Sequence, residues 1–200
     1  MTTHVLSDPL AKAALAERFT RPLWMITLAV LGTIAITISA KINVPMWPVP
    51  MTMQTFAILV IAFAYGSRLG GATVALYLAQ GAVGLPVFAS GGGLAYMAGP
   101  TGGYLVGFLL AAIVVGALAE RGWSRNWLMT IVAMAIGTAL IFLFGVAWLA
   151  SLIGMEKAIA GGLTPFILGA VVKIGLAAAA IPLAWSLINA RRRATGSGES

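Results

Sequence analysis

From Leu163 to Ile188 the chain is apolar with one exception, the charge of Lys173. A helix needs about 20 apolar residues to cross a hydrocarbon core about 30 Å thick. Nothing in such a core offers backbone groups a partner, so a spanning segment must satisfy its own hydrogen bonds as a helix or a closed barrel. Apolar runs of helix length favour helices. The rest of the chain agrees: 60% of its residues are hydrophobic and 8% charged, where a soluble domain carries about 25% charged residues. The expectation is an all-α integral membrane protein.

Six spans can be counted, at about 23–42, 52–66, 70–85, 103–119, 126–153 and 163–189. The second and third are short and are joined by a tight turn, Gly66-Ser67-Arg68-Leu69-Gly70. The fifth is longer than a bilayer core at about 1.5 Å per residue and should tilt or protrude. This divides the chain into a cytoplasmic N-terminal segment (1–21), a six-helix membrane domain (22–190) and a basic, flexible C-terminal tail (191–200). Residues 8–19, DPLAKAALAERF, suggest a short amphipathic helix on the membrane surface. The first 21 residues are polar and charged, so the first apolar run is expected to stay as a span.

Positive charge sets the orientation. With both termini cytoplasmic, the inner segments hold nine basic residues: Lys12, Arg18, Arg21, Arg68, Arg121, Arg125 and Arg191 to Arg193. The outer segments hold two, Lys41 and Lys157. Lysine and arginine concentrate on the cytoplasmic side of membrane proteins, so the net charge of +7 reports topology. The basic residues are scattered at helix ends with no interleaved aromatics, and nucleic-acid binding is not indicated.

Much chemistry is excluded. There is no cysteine, and the only histidine, His4, is in the N-terminal segment. Gly91-Gly92-Gly93 is not followed by the Gly-Lys-Ser/Thr element of a phosphate-binding loop. No carboxylate pair or nucleophile–base pair lies within the spans. No metal ligand set, cofactor site or catalytic residue is expected; the chain can bind, but is not built as an enzyme.

Lys173 is therefore the residue to explain. A lysine at depth costs about 2.5–3.5 kcal/mol on insertion scales. It lies about 15 Å inside the outer end of the sixth span, too deep for easy snorkelling. Pro182, further along the same span, should kink it by freeing the carbonyl of Ala178. No other span contains an acid, and the nearest, Glu156, is in an outer segment. Two readings stand: a structural lysine in a cage of carbonyls, or a cation facing a cavity and an anionic ligand.

The outer connections bear on the second. Asn43 to Pro50 contains three prolines that stiffen the backbone. Residues 86–104, PVFASGGGLAYMAGPTGGY, carry six glycines and no charge. Irregular backbone at membrane depth is tolerated where it lines a cavity, and its free amides and carbonyls can bind a polar ligand. Phe88, Tyr96 and Tyr104 supply apolar walls with polar tips. A re-entrant loop that merely plugs the bundle is the alternative.

At this point the residues carry a resemblance. Residues 49–108, and within them Gly84-Leu85-Pro86-Val87-Phe88-Ala89 and Gly99-Pro100-Thr101-Gly102-Gly103-Tyr104, are similar to the core of the BioY family of bacterial biotin-uptake proteins. The segment GSRLGG and Pro165 to Lys173 fit the same family, and the likeness runs from Trp24 to Asn189. Members are substrate-capture subunits (S components) of energy-coupling-factor (ECF) vitamin transporters. The resemblance implies a six-helix S-component bundle in the bacterial cytoplasmic membrane, biotin as ligand, and an ECF T subunit with ATPase subunits as partners; a homo-oligomer stays open.

By the same resemblance Lys173 takes the valerate carboxylate of biotin, and the loop holding Gly91, Gly92 and Gly93 covers the bicyclic ring. Many members have an aspartate where this chain has Ala170, and some have an asparagine in the glycine loop. The ureido group then falls to backbone or to Tyr96, Tyr104, Gln80 or Thr101, with Gln54 a further candidate. S components dock on the T subunit through small residues of the first span. The nearest pattern here is Ala29, Gly32, Thr33, Ala35 and Ser39, which simple packing inside the chain would explain equally. Two other readings remain: transport of another small carboxylate or vitamin, and a membrane protein with no transport role.

Overall fold

The computed structural model describes residues 22–196, with side chains described as far as Ile181 except that of Arg125. The expected surface helix at 8–19 and residues 197–200 of the tail lie outside the described residues. What is described is helical apart from one small hairpin and the connecting loops.

Helix α1, Pro22–Lys41, opens on a proline whose fixed φ suits a first helical turn. It leads into strand β1, Asn43–Val44, which pairs antiparallel with β2, Met51–Thr52; Asn43 faces Thr52 and Val44 faces Met51. The proline-rich connection between the strands contains a cis Trp47–Pro48 bond.

Helix α2, Gln54–Ala82, is continuous except at Gly66, which has φ +82° and ψ 179°. Twenty-three residues of straight helix would put Gln54 and Tyr77 about 34 Å apart, yet their side chains are hydrogen-bonded at 2.6 Å. The chain therefore reverses at Gly66 into two antiparallel arms. At Gly70 the return arm is so close that a Cβ there would stand 3.0 Å from the Ala62 α-carbon. The expected short spans at 52–66 and 70–85 correspond to these arms. The expected five-residue turn does not form: Ser67, Arg68 and Leu69 are already helical. One glycine suffices because its φ is open to it and closed to residues with a Cβ. Glu120 also holds the start of the return arm, accepting from the Ser67 N–H at 2.8 Å and its hydroxyl at 3.0 Å.

A four-residue helix α3, Leu94–Met97, lies in the loop after α2, followed by α4, Gly102–Glu120. After a 3-10 turn comes α5, Trp127–Ile153, whose first turn is capped by Asn126 accepting from the Leu128 N–H at 2.8 Å. Helix α6, Met155–Gly162, then meets α7, Phe166–Gly196, at a bend of 45°. Helix α7 runs through Pro182 and past Asn189, where the sequence placed the end of its last span. Among the described residues α1, α4 and α5 are each long and apolar enough to cross a membrane, α2 is so only if its two arms are counted together, and α6 with α7 makes a further candidate if the bent pair is one span.

Helix α4 is the centre of the bundle, with Ala111, Ala112, Val115 and Ala119 fully buried between α2 and α5. Small residues permit this close approach, the usual route to tight packing where lipid supplies no hydrophobic drive between helices. A Cβ on Gly116 would stand 2.5 Å from the Ser67 backbone nitrogen, and one on Gly107 2.8 Å from the Ile141 α-carbon.

Candidate functional site

A pocket opens between the first arm of α2, α4, α5 and α7, beneath the loop between α2 and α4. Its walls are mostly apolar, formed by Leu59, Phe108, Met134, Ile141, Phe142 and Ile174, with Phe88, Ala89 and Tyr96 supplied by the loop. The space between these atoms is about 840 Å³, its open part included, within the range of small-molecule sites, about 300–1,000 Å³.

Lys173 is half-buried in one wall. Its ammonium donates to the Thr52 carbonyl at 2.5 Å and to Thr55 Oγ1 at 2.9 Å. The β-hairpin brings Thr52 there, and the first turn of α2 brings Thr55. A carbonyl thus helps to cage the lysine, and the lysine also lines the cavity. Two of its three N–H groups are held, and the third has no acceptor among the described residues. Glu156 is exposed on α6 and does not pair with it. Ala170, one turn before Lys173, also lines the pocket, so the wall beside the cation carries no acid.

The loop above the pocket is anchored at several points. Phe88 lies edge-on to Tyr77 (centroids 5.5 Å, 74°) and stacks on Tyr96 (5.0 Å, 25°). Its ring fills the place where Gly81 lacks a side chain; a Cβ there would stand 1.9 Å from Phe88 Cζ. The Phe88 carbonyl accepts from Lys41 Nζ at 2.6 Å. Gln54 Nε2 donates to Tyr77 Oη at 2.6 Å, and Tyr77 Oη donates to the Val87 carbonyl at 3.0 Å.

Of the residues proposed from sequence, Lys173, Phe88, Tyr96, Thr101, Tyr104 and Gln54 come together around the pocket. Tyr104 already donates its hydroxyl to the Gly162 carbonyl at 2.7 Å. Gly91, Gly92 and Gly93 do not line it. They form the turn that presents Phe88, whose N–H donates to the Gly91 carbonyl at 3.0 Å, while the Gly93 N–H reaches the Gly81 carbonyl at 2.6 Å. Gly91 and Gly93 have φ of +149° and +94°, and a Cβ on Gly92 would stand 2.2 Å from the Leu85 carbonyl oxygen. These glycines shape the loop. Gln80 points elsewhere, its Nε2 3.4 Å from Thr33 Oγ1 on α1.

The stripe proposed on α1 for partner docking does not form one free face. Gly32, Thr33 and Ser39 are buried within the chain, Ala29 is half-buried and Ala35 exposed. Gly32 is used to admit Thr73, whose methyl would stand 2.6 Å from a Cβ there. The exposed side of α1 is built instead from Leu23, Ile26, Leu31, Ile34 and Ile38. Sequence reasoning missed Thr52, Thr55, Tyr77 and Lys41. Tyr77 carried a signal, as a hydroxyl in the middle of an apolar helix. Thr52 acts through its backbone and carried none.

A sequence model of the family described as BioY matches residues 11–190. The biotin transporter BioY of Thermotoga maritima is 40% identical over 148 residues, 73% of this chain and 86% of that protein. The biotin transporter BioY of Rhizobium etli is 34% identical over 185 residues, 86% of this chain and 98% of that protein. The crystal structure of the S-component for biotin from an ECF-type ABC transporter superposes with a TM-score of 0.68 at 25% identity, covering 86% of this chain and 92% of that one.

Proposed function

The chain belongs to the BioY family, and we infer from that premise how its pocket serves biotin uptake. It is the substrate-binding subunit of a multi-pass membrane transporter and not an enzyme. Biotin enters from the outer side, its valerate carboxylate meeting Lys173 and its bicyclic ring packing against Phe88 and Tyr96 under the loop. The observation that carries this reading is Lys173, an intramembrane cation with one N–H left over, in the wall of an otherwise apolar pocket. An ammonium–carboxylate pair away from bulk water is strong when its hydrogen bonds are complete. The Thr52 carbonyl and Thr55 hydroxyl supply part of that set.

The six-span topology belongs to the same proposal, with the two arms of α2 as separate passes, α6 lying at the outer surface and α7 as the last pass. Nine inner basic residues against two outer ones support cytoplasmic termini. The membrane is then the bacterial cytoplasmic membrane. An ECF T subunit and cytoplasmic ATPase subunits drive the loaded pocket inward. The exposed apolar side of α1 is open to such a partner or to lipid.

Equilibrium binding of biotin to the purified protein in detergent, with biotin methyl ester and thiamin alongside, tests the reading. Tight biotin binding that weakens clearly in the ester is expected. Equal binding of acid and ester would remove Lys173 from the carboxylate. No biotin binding by a folded sample would remove biotin as the ligand of the isolated subunit.

A further inference from the structure

Threonine hydroxyls in helices commonly donate to a carbonyl of the preceding turn. In this protein Thr27, Thr33, Thr37, Thr73 and Thr130 all do so, at 2.7–2.9 Å. Thr55, on the first turn of α2, does not. Its Oγ1 accepts from the Lys173 ammonium at 2.9 Å, and its own proton has no acceptor among the described residues. The residue lines the pocket.

A hydroxyl that accepts from a cation is polarised toward donating its own proton. The bond from Lys173 uses one lone pair of Oγ1, so the O–H must lie along another direction of that oxygen. The Thr52 carbonyl already holds the lysine in place. Thr55 is therefore not needed as its only support. Two donors from two elements, the third N–H of Lys173 and the O–H of Thr55, sit on atoms 2.9 Å apart and have no acceptor among the described residues. A carboxylate has two adjacent oxygens and accepts at both, so neighbouring donors can each take one; an ester or amide offers one strong acceptor.

We propose that Thr55 is a second carboxylate donor, giving its hydroxyl proton to one oxygen of the bound ligand while Lys173 donates to the other. This rests on the carboxylate reading of Lys173 and adds to it a residue that selects acid over neutral analogue.

The test is equilibrium binding of biotin and biotin methyl ester to the full-length protein in detergent. Thr55→Val is close in shape and lacks the hydroxyl. It is expected to weaken biotin binding about 10- to 100-fold and the ester about tenfold less than that. Thr55→Ser keeps the hydroxyl and is expected to stay within about threefold of the parent. Equal losses for acid and ester would overturn the proposal, as would no loss. A second comparison separates donation from positioning: Thr55→Val is made in a Lys173→Gln background. A direct donor still costs biotin several-fold there, whereas a threonine acting only through the lysine costs nothing, which also overturns the proposal. If the folded parent bound no biotin, the biotin reading would fail and this inference with it, a pattern distinct from a variant-specific result.

Discussion

Gln54 and Tyr77 lie 23 residues apart on the two antiparallel arms of α2 and are joined side chain to side chain at 2.6 Å. The bond closes the two arms of α2 at their open end, opposite the reversal at Gly66. Tyr77 then donates to the Val87 carbonyl at 3.0 Å, so one phenol ties the hairpin to the loop over the pocket.

Tyr77→Phe keeps the ring against Phe88 and removes both hydrogen bonds. It leaves the buried Gln54 amide and the Val87 carbonyl without this partner, at a cost of about 1–3 kcal/mol. The thermal midpoint in detergent should fall, and bound biotin should leave faster. An unchanged midpoint would mean that water replaces the phenol without loss.

Gly81→Ala puts a methyl 1.9 Å from Phe88 Cζ and 2.4 Å from its two neighbouring ring carbons. Gly81 has ordinary helical backbone, so the effect is steric: the ring must leave its seat between Tyr77 and Tyr96. Biotin affinity is expected to fall about tenfold in a protein that still folds. Unaltered affinity would show that the ring's position does not matter to the ligand.

Lys41→Met cuts the 2.6 Å bond between α1 and the Phe88 carbonyl. The lysine is exposed, so folding should be little affected. The loop loses one anchor, and biotin should dissociate about three- to tenfold faster with association nearly unchanged. Stopped-flow exchange of labelled biotin reads both rates.

Lys173→Met removes the pocket's cation while keeping a long apolar side chain. Biotin binding should fall by about 100-fold or more, since a carboxylate left without its partner in an apolar site is heavily penalised. The protein should remain extractable and folded. Binding that survived would return Lys173 to a purely structural role.

Much of the fold was legible because transfer from water to lipid is a property of each residue. The apolar runs marked α1, α4 and α5 closely, and Lys173 stood out as a charge too costly to be idle. Gly66 marked the hairpin, although the reversal proved tighter than its glycine-rich surroundings suggested. The family motifs led to Phe88, Tyr96, Thr101 and Tyr104, all of which reach the pocket.

The same property hides which side of each helix does what. In a soluble protein a polar stripe marks the outer face of a helix, but lipid is as apolar as the interior, so these helices are apolar all round. Gly32, Thr33 and Ser39 therefore read equally well as a docking stripe or as packing, and only the seat of Thr73 against Gly32 decided for packing. The lysine's partners were hidden for a different reason. Thr52 meets Lys173 through a backbone carbonyl 121 residues away, and every residue has such a carbonyl. The sequence by itself determined that this chain crosses a membrane with one buried cation to satisfy. The tertiary structure alone decided what satisfies it, because that depends on which backbone the hairpin carries to Lys173.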